Sequence, residues 1–81
     1  MTLYEGTTGM TYRISSFHHR DSDMFSQEFT ECIRPGNTVR ILAKTENSRL
    51  VIVRGQEFYI AKSICDEIIV RDYKDSIISV E

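Results

Sequence analysis

The chain has 81 residues, 41% of them hydrophobic and 27% charged, with a formal net charge of −2. A length like this gives one domain with a thin core, because a small domain buries only about 60% of the surface its unfolded chain exposes. The balance excludes disorder, which needs low hydrophobicity with high net charge, and no run approaches the roughly 20 apolar residues that span a bilayer.

Met1 to Glu5 shows no basic region leading into an apolar run, hence no signal peptide, and Thr2 excludes an N-myristoylation motif. A cytoplasmic location without direct membrane insertion is expected. Met10, Tyr12 and Ile14 then alternate with Thr11 and Arg13, the period of a half-buried strand over Met10 to Phe17. From Asp21 to Ile33 the period changes: Phe25, Phe29 and Ile33 recur every fourth residue, flanked by Met24 and Cys32. This predicts an amphipathic helix of about three turns. Asp21, Ser22 and Asp23 supply N-caps and acidic first-turn residues. Pro35 disfavours helix at Arg34, and Pro35-Gly36 is a turn.

Three short strands follow. Val39 and Ile41 alternate with Arg40 and Leu42. After a turn at Glu46-Asn47-Ser48, Leu50-Val51-Ile52-Val53 has the continuous apolar run expected of a strand buried on both sides. Arg54-Gly55-Gln56 turns the chain into Phe58-Tyr59-Ile60. Ser63 to Glu67 predicts one helical turn capped by Ser63, and Ile68-Ile69-Val70 a last strand. Residues 71–81 form an extension expected to add an edge strand or to pack across the sheet. Five or six short strands with turns every 8–12 residues point to a small all-β barrel or sandwich with one inserted helix. Cys32 and Cys65 lack CxxC spacing and are expected to be reduced and buried.

From Gly55, the residues Phe58, Ile60, Ser63, Cys65, Ile68 and Val70 follow in an order that resembles the C-terminal signature of FeoA-type proteins. Upstream, Ile33-Arg34-Pro35-Gly36 with Val39 and Ile41 is similar to the same family's turn into a strand, and Leu3, Gly9 and Ile14 sit at its N-terminal spacing. The resemblance covers about residues 3–70 of a single domain, 1–81. It implies an SH3-like barrel with a helical insertion, and a cytoplasmic accessory of ferrous-iron transport that binds the FeoB-type membrane GTPase. The barrel also resembles the C-terminal domain of DtxR-type repressors, so the alternative is a stand-alone metal-sensing or nucleic-acid-binding regulatory barrel. A third reading is a diverged interaction domain with no link to iron. The sequence departs from the family pattern at three places. The segment before the turn is SQEFTECIRPG, with Cys32 where the family has Gly. Ala61, followed by Lys62, stands in place of an arginine. Cys65 replaces a common Ala.

No Gly-rich phosphate loop, nucleophile elbow or HExxH pattern is present, and an enzyme is not expected. His18, His19, Asp21 and Asp23, with Glu28 and Cys32 as further contributors, carry donor types that suit a divalent transition metal such as Fe2+. They lack defined ligand spacing, and neighbouring histidines point to different sides of an extended chain, so only weak binding is expected. The charge distribution marks a second candidate. Residues 34–62 carry six basic and two acidic side chains, net +4, between two segments of net −3. Arg40, Lys44, Arg49, Arg54 and Lys62, with Tyr59 as the aromatic among them, are expected to form a docking surface for an acidic protein partner. The overall negative charge disfavours nucleic acid. The helical stripe of Phe25, Phe29 and Ile33 is expected to pack mainly in the core; Met24 and Cys32 widen it, so that apolar area around Met24, Phe25 and Phe29 is a second candidate partner surface.

Overall fold

The computed structural model describes residues 1–17 and 27–73, with side chains for all of these except Gln27 and Glu28. Its strands are β1 (Thr11–Phe17), β2 (Thr38–Lys44), β3 (Ser48–Val53), β4 (Gln56–Ala61) and β5 (Ile68–Asp72). Helix α1 (Gln27–Cys32) lies between β1 and β2, and the short helix α2 (Lys62–Cys65) between β4 and β5. The strands form one antiparallel sheet in the order β4-β3-β2-β1-β5. This is the small all-β, SH3-like architecture with an inserted helix that the sequence predicts.

The sheet curls around a core drawn from every strand. Tyr12, Ile14, Val39, Ile41, Val51, Val53, Ile60, Ile68 and Val70 alternate inward, joined by Leu3, Cys32, Ile33 and Cys65. Both cysteines are free and buried, as expected. Cys65 Sγ–H donates to the Ile60 carbonyl at 3.4 Å, and burial pushes its thiol up to about 11. The N-terminus lies along β5: Thr2 bridges Ile69, and the Val70 N–H donates to the Met1 carbonyl at 2.8 Å.

Turn chemistry sets the register. Arg34-Pro35-Gly36-Asn37 closes with the Asn37 N–H on the Arg34 carbonyl, and Gly36 at φ +100 takes the position of a type II turn that needs left-handed backbone. Arg54 (φ 53) and Gly55 (φ 82) form a two-residue hairpin loop with both residues left-handed, the type I′ geometry that matches strand twist.

Several expectations are corrected. β1 begins at Thr11, and Met10 is 53% exposed, because Gly9 (φ 91) and Met10 together oppose Ile41: the Gly9 N–H donates to the Ile41 carbonyl and the Ile41 N–H to the Met10 carbonyl, a bulge that turns the Met10 side chain outward. α2 begins at Lys62 with Ala61 as N-cap, not Ser63; the Lys62 N–H is satisfied from outside the helix by the Asn47 carbonyl at 2.7 Å. β3 is not buried on both sides. Val51 and Val53 face the core, while Leu50 and Ile52 are half-buried on the outer face of the sheet. A single curled sheet has only one interior, and the apolar residues packed against the core from its margins do not include Leu50 or Ile52. The helix caps Asp21, Ser22 and Asp23, and residues 74–81 of the extension, lie outside the described residues; β5 runs on to Asp72.

Candidate docking surface

Antiparallel pairing puts laterally opposed residues on one face, so the register lists the outer surface of the sheet row by row. One row runs Thr11, Arg40, Ile52, Glu57 across β1, β2, β3 and β4. The next runs Ala43, Leu50, Tyr59 across β2, β3 and β4, with the register shift between Ile41 and Ala43 leaving Leu42 as the extra residue. Arg40, Ala43, Glu57 and Tyr59 are exposed, and Leu42, Leu50 and Ile52 are half-buried. Tyr59, at 73% exposure, is the most exposed aromatic among the described residues. The result is an apolar patch of Leu42, Leu50, Ile52 and Tyr59, with a cation on one flank of Ile52 and a carboxylate on the other.

The predicted basic surface breaks up. Arg40 lies on this face, and Arg54 stands at the hairpin that closes the same end of the sheet. Lys44 is exposed at the opposite end of β2, paired with Arg49. Arg49 itself is a correction: only 5% exposed, it points inward in phase with Val51 and Val53. Its guanidinium donates to the Thr45, Ser48 and Tyr4 carbonyls at 2.9 Å each and lies 3.8 Å from the centroid of the Tyr4 ring. It fastens the N-terminal segment and the β2–β3 loop to the barrel, so it is a structural residue and no part of an exposed docking surface. Lys62 is exposed but engaged. Its Nζ bonds Asp66 at 2.8 Å and lies 4.7 Å from the Tyr4 centroid. The Asp66 hydrogen bond, then its charge, raises the Lys62 pKa, and so holds the ammonium charged.

Of the helix residues, Phe29 is half-buried and meets Phe58 edge-on, with centroids 5.7 Å apart at 87°. It docks α1 onto the margin of the core. Met24 and Phe25 lie outside the described residues, as do His18, His19, Asp21 and Asp23 of the metal candidate; the Glu28 side chain does too. Cys32 is buried beneath the turn, its carbonyl accepting from Asn37 Nδ2 at 2.8 Å. Among the described residues no group of three or more His, Cys, Asp or Glu side chains could hold a metal ion.

Leu42, Leu50, Ile52 and Glu57 are the surface residues that the sequence reading did not single out. Their signal was present in the loop length. A two-residue loop at Arg54-Gly55 pairs Val53 with Gln56 and therefore Ile52 with Glu57 and Leu50 with Tyr59.

The described residues hold no helix long and apolar enough to cross a membrane. A family model described as the FeoA domain matches residues 1–72. Among solved structures, the chain is similar to one described as an iron uptake regulatory protein (FeoA). The TM-score is 0.74 at 20% identity, over 88% of this chain and 95% of that one, a likeness that bears on the fold alone. A comparison with curated protein sequences finds no match.

Proposed function

We propose, because this chain belongs to the FeoA domain family, that it is a non-enzymatic cytoplasmic accessory of ferrous-iron transport. It acts by binding the cytoplasmic part of a FeoB-type membrane GTPase. The family match over residues 1–72 carries the reading. The outer sheet face supports its mode of action: Leu42, Leu50, Ile52 and Tyr59 offer an apolar centre, and Arg40 and Glu57 a charged margin. Interfaces draw their affinity from such central aromatic and aliphatic anchors, while flanking charges set orientation and rate of encounter.

The test is a binding titration of the full chain against the purified cytoplasmic domain of a FeoB-type GTPase. Saturable binding at or below tens of micromolar is expected, weakened about tenfold or more by Tyr59→Ala. A folded chain that shows no binding in that range would overturn the reading.

A further inference from the structure

The outer face has a symmetry of its own. Arg40 and Glu57 flank Ile52 on β2 and β4, one strand to either side, in a single lateral row. Strands lie about 4.8 Å apart, so the two charges stand roughly 10 Å from each other across the patch. Neither has an ion-pair partner among the described residues, unlike Lys62, which is paired with Asp66. In the neighbouring row, exposed Ala43 and the large, 73% exposed Tyr59 flank Leu50 in the same way. Each row therefore has an apolar centre with complementary ends: a cation against an anion, and a small side chain against a large one.

We infer that this face binds a second copy of the same chain, as a two-fold dimer with its axis parallel to β3 and over Leu50 and Ile52. A two-fold in that position exchanges β2 and β4 between the copies. It lays Arg40 of each copy over Glu57 of the other, and Tyr59 of each over Ala43 of the other. Leu50 and Ile52 meet their own counterparts on the axis. The contact is isologous and closes at two, and sheets pack face to face with their strands nearly aligned, about 10 Å apart. The face is only three strands wide, roughly 15 Å, well short of the ~800 Å² per partner of a standard interface. The dimer is accordingly weak and concentration-dependent. The inference goes beyond the partner reading and does not depend on it, since it concerns the chain alone.

Sedimentation equilibrium of the full chain, from about 10 µM to about 1 mM, reads it directly, because that range brackets weak association. The apparent mass should rise from the 9.4 kDa monomer toward twice that value. Arg40→Glu and Glu57→Arg, each alone, set like charges against each other twice over and should each weaken association about tenfold. An equimolar mixture of the two variants makes both cross-pairs attractive again and should associate about as tightly as the unaltered chain. An ion pair confined within one copy would give no such rescue. Tyr59→Asp, at a position outside the core, should leave a monomer whose circular dichroism is unchanged. A chain that stays monomeric throughout the range, a mixture no tighter than its components, or a folded Tyr59→Asp variant that associates like the unaltered chain would each overturn the inference.

Discussion

Arg49 shows how one side chain can serve the fold in a segment whose net charge suggests a surface. A guanidinium taken out of water is costly unless its donors are met; here the two terminal nitrogens supply three bonds to carbonyls of the β2–β3 loop and the N-terminal segment, while the buried Nε has no hydrogen-bond partner among the described residues. The Tyr4 ring covers one face of the group, and the Tyr4 hydroxyl donates to the Glu46 carbonyl at 3.1 Å, closing a loop of contacts around the same β2–β3 connection. Removing the side chain takes away one of the ties between the 3-10 turn Leu3–Glu5 and the barrel, and costs the Tyr4 and Thr45 carbonyls a donor. Arg49→Ala should therefore lower stability by about 2–4 kcal/mol in urea unfolding. Arg49→Lys should recover little of it, because one ammonium cannot span three acceptors in the fixed fork that arginine provides. A loss below about 0.5 kcal/mol is what exposed surface substitutions give, and would return Arg49 to the docking surface.

At the scale of elements, the β3–β4 hairpin stores a local conflict. Both positions of a type I′ loop need left-handed backbone, which Gly55 adopts freely and Arg54, at φ 53, adopts against the steric preference of its Cβ. Asn is the residue best tolerated there, so Arg54→Asn should raise the urea midpoint by an amount worth roughly 1 kcal/mol, with the unfolding slope unchanged. An unchanged midpoint would mean that the loop holds no strain. The same hairpin explains what the sequence made legible. The strands were readable because Tyr12 and Ile14, or Val39 and Ile41, alternate with polar neighbours, and the turn at Pro35-Gly36 was readable from its chemistry. The phase of β3 was hidden, since four consecutive apolar residues carry no alternation, and with it were hidden both the inward Arg49 and the outward Leu50 and Ile52. Pairing through the two-residue loop resolves that phase. Charge counted along the chain could not do so, because it ignores which face of a strand each residue takes.

For the whole molecule, the outer face is one surface proposed for two occupants, and a surface three strands wide cannot hold both at once. A FeoB-type partner seated on Leu42, Leu50, Ile52 and Tyr59 would cover the same side chains that the second copy needs. Binding and self-association are then linked. Any ligand that binds only the monomer draws the dimer apart by mass action, and the dimer weakens apparent partner affinity by the fraction of chain it holds. Adding the cytoplasmic domain of a FeoB-type GTPase to the chain at about 1 mM should dissolve the dimer into a one-to-one complex. Apparent affinity should be weaker at that concentration than at about 10 µM, where so weak a dimer would be dissociated. Sedimentation velocity separates the species. A complex containing two copies of this chain on one partner domain, at an affinity independent of chain concentration, would show that the two occupants use different faces. Partner binding without self-association would leave the face to the GTPase alone, and self-association without partner binding would leave it to the second copy. The Arg40→Glu variant adds an internal control. It should weaken the dimer about tenfold while keeping the barrel, since Arg40 projects from the outer face and makes no part of the core.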